Sequence, residues 1–230
     1  MFNPDVEIAA RRHAIAEYPR ECVGFVLDGV YAPQLNLSET PERNYTLAAD
    51  AWSDDIEAVI HSHPGGTCSP SRADMQSQAS ADIPYGITVT DGADATPIVW
   101  FGDSVLDEPL VGRPFLENVT DCFELGRAYF WQAQRIWIPP FPRDPTWWED
   151  GGDLITENLR RAGFAPVEAP TPGDVLLIGP AGRLNHIAIL LDGNLMLHHR
   201  AGQLSRREPW SGAWRRLTRS IVRHDNGTAP

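Results

Sequence analysis

The chain has 230 residues, of which 42% are hydrophobic and 22% are charged, and its formal net charge is −12. This composition is typical of a globular protein rather than of a disordered chain, and the length favours two globular domains that can each bury a core. The first 110 residues hold 5 arginines against 18 acidic residues, which argues against nucleic acid as a specific ligand, because binding phosphates requires a cationic face.

Two further patterns limit where the chain can work. No apolar stretch approaches the roughly 20 residues that span a bilayer, and the first residues lack the hydrophobic segment of a secretory signal. We therefore expect no membrane span and synthesis in a cytoplasm. The three cysteines are an odd number, so we expect no disulfide framework, and each thiol is considered singly.

The first half of the chain predicts a helix and then several strands. Apolar residues at helical spacing over 6–18 predict the first helix, which Pro19 ends. ECVGFVLDGVYAPQLNLS predicts two strands that turn at Asp28-Gly29. AADAWSDDIEAVIHSHP predicts a helix running into a buried strand, and Ser71 is a predicted N-cap of the next helix. Strand-like runs follow at 86–90 and 97–101.

The second half begins after a stretch rich in proline and glycine, which predicts a linker around residue 110. TDCFELGRAYFWQAQ predicts an amphipathic helix capped by Thr120 or Asp121, and DLITENLRRAGF predicts another. DVLLIG, HIAILL and LMLHH predict a small antiparallel sheet, with a turn at Asp192-Gly193. We therefore predict an α+β fold with two domains, residues 1–110 and 111–230.

The segment HSHPGGTCSPSRAD carries a candidate metal site. His61 and His63 alternate on an extended strand, so both imidazoles project from one face. Asp74, in the first turn of the next helix, could complete a ligand set that leaves the fourth position of a tetrahedral Zn²⁺ ion to water. Glu21 could serve as the general base, and Ser71 could donate to a substrate carbonyl oxygen.

A bare His-X-His also fits two surface histidines, but the wider pattern is more specific. Two histidines, Ser71 and Asp74, with Glu21 upstream, resemble the motif of the JAMM (MPN-plus) metallopeptidase family over about residues 1–105. The resemblance implies a mixed sheet with flanking helices and zinc-dependent hydrolysis of a peptide or isopeptide bond, whose identity it leaves open. Cys68 lies in the same loop; we expect a structural bystander rather than a fifth ligand.

Cys122, His186 and His198 form the second candidate site. Cys122 begins a predicted helix, where backbone N–H groups and the helix dipole favour a thiolate with a lowered pKa. His186 and His198 can be neighbours across an antiparallel pair, one as base and the other orienting it. The alternatives are that Cys122 is a core cysteine and that His199 replaces His198, although adjacent strand residues face opposite ways.

The order of these residues and strands resembles the NlpC-type, papain-like cysteine peptidases over about residues 111–205. The resemblance implies Cys122 as nucleophile, His186 as base and His198 as third polar residue, with peptidoglycan stem peptides cut beside a γ-D-glutamyl residue. Trp147 and Trp148 could form a platform for glycan or peptide, or could pack a loop.

The two domains together resemble the tail assembly protein K family of lambda-like phages over nearly the whole chain. This resemblance implies a hydrolase that is made in the host cytoplasm and then carried in the virion tail tip, with other tail tip proteins and bacterial peptidoglycan as partners. Two alternatives stay open. One is a structural tail tip subunit with inactive sites, and the other is a cellular metallopeptidase with a regulatory cysteine domain.

Overall fold

The structure is a computed structural model that describes residues 2–144, 147, 153–180 and 183–225. The chain divides into two compact units, Met1–Ser104 and Val105–Pro230. Each unit combines helices with one β-sheet, so the predicted α+β class is confirmed. The division into domains at residues 110 and 111 stays a prediction, because the compact units do not show where independent folding begins. Among the described residues, no helix is both long enough and apolar enough to cross a membrane.

The first unit is a five-stranded mixed sheet with two helices. Its elements are α1 (Pro4–Glu17), β1 (Val23–Leu27), β2 (Val30–Gln34), β3 (Ala58–Pro64), α2 (Arg72–Ala81), β4 (Tyr85–Thr90) and β5 (Val99–Phe101). The strand order is β2-β1-β3-β4-β5; β3 and β4 are parallel, with α2 as the crossover between them. The turn at Asp28-Gly29 is confirmed, and both residues have the positive φ that a tight hairpin turn requires.

One predicted helix of the first unit is wrong. The residues before β3, from 48 to 57, form turns and bends instead of a helix. Ile56 is the one buried residue of this stretch, so a helix here would have no apolar face to pack, and packing supplies most of the stability of a short helix.

The described residues of the second unit form a six-stranded antiparallel sheet with three helices. Its elements are α3 (Cys122–Gln134), α4 (Leu154–Arg161), β6 (Phe164–Pro166), β7 (Val175–Ile178), β8 (His186–Leu191), β9 (Leu195–His198), β10 (Arg206–Pro209), α5 (Gly212–Leu217) and β11 (Thr218–His224). The strand order is β10-β9-β8-β7-β11-β6. The predicted strands β7, β8 and β9 are confirmed. The sequence analysis missed β6, β10, α5 and β11, whose residues are mostly exposed or half-buried and show little apolar pattern.

Helix α3 packs directly on β8, and this contact positions the second site. Phe123 and Leu125 join a core cluster with Ile187 and Ile189 of β8. Gly126 allows the close approach, because a Cβ at this position would lie 3.0 Å from Ile187 Cδ1. The first residue of α3 is therefore held beside the first residues of β8.

Candidate active sites

The first site gathers the three predicted metal ligands. The Nε2 atoms of His61 and His63 lie 3.2 Å apart, and the oxygens of Asp74 lie 3.4 and 3.5 Å from them. The ring nitrogens of both histidines and the two carboxylate oxygens of Asp74 therefore face a common space. One ligand atom of each residue lies within 4.8 Å of the others. The donor set therefore fits a metal ion.

Hydrogen bonds outside the cluster orient these ligands. His63 Nδ1 lies 2.7 Å from the Thr67 carbonyl oxygen, which places the ring proton on Nδ1 and leaves Nε2 as the ligand atom. Asp74 Oδ2 accepts from the backbone N–H of Ser71 at 2.8 Å and from its hydroxyl at 2.7 Å. Because Ser71 is the N-cap of α2 and Asp74 is its N3 residue, the start of the helix holds the carboxylate in place.

The site places one buried imidazole, His61, and one half-buried imidazole, His63, around one carboxylate. Burial lowers the pKa of His61. Burial also acts to lower the pKa of His63, but its contacts with Asp74 and Thr67 outweigh this and raise it. Burial alone would raise the pKa of Asp74, whereas His61, His63 and Ser71 together hold it well below its usual range. Asp74 is therefore ionised and the site is ready for a cation.

Glu21 lies two residues before β1, not within a strand. Val23 pairs with His61 across β1 and β3, and this register, continued by two residues, places Glu21 opposite His63. The side chain is buried, and burial, opposed by His63 and reinforced by Asp74, raises the pKa of Glu21 to about 7. A carboxyl group with this pKa can both take and release a proton near neutral pH.

Ser71 and Cys68 occupy different positions around the metal cluster. The Ser71 hydroxyl donates to Asp74, so donation to a substrate would require this proton to leave the carboxylate. The Cys68 Sγ atom lies 3.6 Å from the Thr96 hydroxyl. Within the described chain, the cluster of candidate ligands holds His61, His63 and Asp74 but not Cys68.

The second site begins at the first turn of α3. Cys122 is the first residue of the helix, and Asp121 is its N-cap, accepting from the N–H groups of Phe123 and Glu124. Asp121 also lies 2.6 Å from a guanidinium nitrogen of Arg143, which further contacts Glu124 at 3.3 Å. Buried charges therefore support the residue next to the candidate nucleophile.

His186 and His198 face each other across β8 and β9. Ala188 pairs with His198, so His186, two residues away from Ala188, shares their face. The distance between His186 Nε2 and His198 Nδ1 is 3.1 Å. His199 instead contacts the Gln203 carbonyl oxygen at 3.1 Å and the ring of Phe115. His198, and not His199, therefore contacts the candidate base.

A pocket of about 410 Å³ connects this site to the surface, and its lining includes Cys122, His186 and His199. Arg200 and Trp147 also line it, and Trp147 is buried. Trp148, the other residue of the platform considered from the sequence, lies outside the described residues. Within the part of the chain that the structure describes, Arg200 pairs with no carboxylate, and its guanidinium lies over the ring of Trp214. The sequence analysis missed Arg200, because a single arginine after two histidines carries no pattern.

The expected low pKa of the candidate nucleophile is wrong for the resting site. Burial, reinforced by the Asp121 carboxylate, raises the pKa of Cys122 to about 12. Burial and the charges of His198 and Arg200 lower the pKa of His186 to about 3. The dipole of one helix turn is worth at most about 2 kcal/mol and does not outweigh these effects. The thiol and the imidazole are therefore both neutral before substrate binds.

Glu208 is a further residue at this site that the sequence analysis missed. Its Oε1 atom lies 2.8 Å from His198 Nε2, although the two groups are not aligned for a hydrogen bond. The acidic residue lies in β10, a strand without a recognisable sequence pattern, which explains the omission.

The comparisons with known proteins match one family model to each part of the chain. Residues 4–101 match the family of prokaryotic homologs of the JAB domain, and residues 98–223 match the NlpC/P60 family. The tail tip assembly protein K of Escherichia phage N15 is 34% identical over 94% of this chain and 93% of its own length. The protein of the same name from Escherichia phage lambda is 36% identical over 74% of this chain and 82% of its own length.

Among solved structures, the NlpC/p60 domain of the peptidoglycan hydrolase SagA is similar, with 20% identity, a TM-score of 0.31, and coverage of 49% of this chain and 87% of that one. The similarity to the phage N15 protein extends over both units. The first family model ends at residue 101 and the second begins at residue 98, close to the border between the two units. The chain therefore belongs to the tail tip assembly protein K family, in which a JAB-like domain precedes an NlpC/P60 domain.

Proposed function

We propose that the chain is a hydrolase of the phage tail tip whose second unit cleaves stem peptides of peptidoglycan. In this proposal Cys122 is the nucleophile, His186 the base and His198 the residue that orients the base. The 3.1 Å contact between the two histidines, at a pocket that Cys122 also lines, carries the proposal. Membership of the NlpC/P60 family supports it.

The chemistry follows from two neutral groups. As the thiol sulfur attacks the carbonyl carbon of the scissile bond, its proton passes to His186, and a thioester forms. His186 then gives this proton to the departing amine. Water hydrolyses the thioester, with the proton of the water returning to sulfur through His186. Because the pKa of Cys122 is raised, the proton moves during the attack and not before it.

Digestion of purified peptidoglycan, with mass spectrometry of the released fragments, tests this proposal. We expect release by the native chain and by Cys68→Ala, a control in the other unit, and none by Cys122→Ala. A chelator should leave release intact, because no ligand of the first site belongs to the second. Loss of release with a chelator but not with Cys122→Ala would assign the activity to the first unit.

We also propose that the first unit binds one zinc ion through His61, His63 and Asp74. When bound, zinc supplies Lewis acidity and a water that ionises near neutral pH. Glu21 would hold and pass on a proton at its carboxylate. The substrate class is a peptide or isopeptide bond, in agreement with the JAB-like family model.

The proposed partners are other tail tip proteins and bacterial peptidoglycan, and the proposed locations are the host cytoplasm during assembly and then the virion tail tip. The names of the two phage relatives support this. One alternative is a structural tail tip subunit with inactive sites. Absence of cleavage by the native chain on every wall type tested would support that alternative.

A further inference from the structure

A carboxylate lies behind the histidine pair of the second unit. His198 contacts His186 through Nδ1, at 3.1 Å, and Glu208 through Nε2, at 2.8 Å. Glu208 lies opposite Met196 in the pairing of β10 with β9, and Arg206 lies opposite His198. Since opposite residues of an antiparallel pair share a face, Glu208 projects on the same face of the sheet as His198.

The environment holds this carboxylate against the ring. The His198 side chain is 1% exposed and that of Glu208 is 24% exposed. Arg206 Nη2 lies 3.3 Å from the other oxygen of Glu208, so the carboxylate has a cation on one side and the imidazole on the other. The ring of Trp214 packs 4.9 Å from that of His198 and 5.8 Å from that of His186, which limits access of water to both.

An ionised carboxylate accepts hydrogen bonds and cannot donate one. A carboxylate 2.8 Å from His198 Nε2 therefore favours the proton on that nitrogen, and it does so through its charge even where the alignment for a hydrogen bond is poor. Nδ1 of His198 is then an acceptor, so the proton of His186 lies on Nε2. The remaining nitrogen of His186, Nδ1, carries the lone pair.

We propose that Glu208 is a positioning residue of the second site, which fixes the tautomers of His198 and His186 so that Nδ1 of His186 is the atom that takes the proton of Cys122. The inference rests on the proposed cysteine chemistry and names the residue that directs it. Other charges act on the two rings: Arg200 and Arg206 oppose a positive charge there, His199 does the same when protonated, and Asp121 favours one. Among the described residues, Glu208 supplies the carboxylate that contacts His198.

The test compares Glu208→Gln with Glu208→Asp and with Glu157→Gln, a control at an exposed ion pair of the same unit. The first measurement is the rate at which iodoacetamide alkylates Cys122 as a function of pH, followed by peptide mapping. In Glu208→Gln we expect this rate near neutral pH to fall about tenfold, less than the roughly 10²–10⁴-fold contribution of a general base, because His186 itself is kept. Glu208→Asp should recover part of the rate, and Glu157→Gln should match the native chain.

The second measurement is the tautomeric state of the histidines by ¹⁵N nuclear magnetic resonance of the intact chain. We expect His198 to carry its proton on Nε2 in the native chain and in Glu208→Asp, and to become a mixture in Glu208→Gln, whose amide can donate as well as accept. With peptidoglycan as substrate, kcat should fall and KM should stay unchanged.

Unchanged tautomers and an unchanged alkylation profile in Glu208→Gln would overturn the inference. Equal loss in Glu208→Gln and Glu208→Asp would also overturn it, because the shape of the side chain and not its charge would then matter. Should the native chain cleave no peptidoglycan, the proposed function fails, whereas the alkylation and resonance measurements still decide the role of Glu208.

Discussion

Replacement of Arg143 by methionine should destabilise the second unit strongly. Arg143 contacts Asp121 at 2.6 Å and Glu124 at 3.3 Å, and all three side chains are less than 10% exposed. Removing one partner of a buried ion pair costs about 3–5 kcal/mol, because a charge stays buried without compensation. Asp121 keeps three backbone N–H donors and Glu124 keeps Arg127. We therefore expect the lower value, a loss of about 3 kcal/mol in the free energy of unfolding.

The matched control is Arg161→Met, which removes an arginine from the exposed pair with Glu157. An exposed pair of this spacing contributes about 0.3–0.5 kcal/mol. Urea unfolding followed by tryptophan fluorescence measures both variants, since six of the eight tryptophans follow residue 105. Equal losses in the two variants, within about 0.5 kcal/mol, would refute the reasoning that burial of the Arg143 pair decides its contribution.

The pH dependence gives a second check on the same pair. Burial alone would raise the pKa of Asp121, but the charge of Arg143 and the hydrogen bonds hold it below its usual value. A depressed pKa in the folded state stabilises above the unfolded value of about 3.9, and this stability is lost as pH falls through the folded pKa. The difference between Arg143→Met and the native chain should therefore shrink at acidic pH. A difference that grows as pH falls would contradict this account.

Three other predictions concern the sites. Elemental analysis should find one zinc per chain, and His61→Ala and Asp74→Ala should lose it. Glu21→Gln should keep the zinc, because Glu21 is not among the proposed ligands. Full metal content in the two ligand variants would contradict the assignment. His198→Ala should lower the initial rate of peptidoglycan cleavage about 10²-fold or more, because His198 contacts His186. His199→Ala should lower this rate less. The reverse order would favour His199 as the orienting residue. Arg200→Gln should raise KM for stem peptides, because Arg200 lines the pocket and has no carboxylate partner among the described residues. The zinc content should stay unchanged. An unchanged KM would exclude Arg200 from substrate binding.

The sequence predicts the residues that depend on local pattern. Ser71 is the predicted N-cap of α2, and His61 and His63 project together because alternate strand residues share a face. Strands with buried apolar runs, such as β7 and β8, were also predictable. In each case the signal lies within a few residues of the feature.

The features that the sequence does not predict depend on contacts between distant segments of the chain. Glu208 reaches His198 only because β10 pairs with β9, and the residues of β10 show no alternation of apolar and polar side chains. The pKa of Cys122 depends on how deeply α3 packs on β8, which no local rule gives. The helix predicted before β3 failed for the same reason, since helical spacing does not reveal whether a partner surface exists.

The capping arrangement at α2 has a consequence for how the proposed zinc ion would bind. Asp74 is fixed by Ser71 through bonds that also begin the helix, and His63 is fixed by the Thr67 carbonyl. Ligands oriented by the folded chain lose little conformational entropy on binding. Zinc should therefore bind to a site that is already formed in the folded chain, whereas a zinc finger folds only when its metal binds. A chain folded without zinc should load it without a slow rearrangement, and a virion particle could be stripped and reloaded in place.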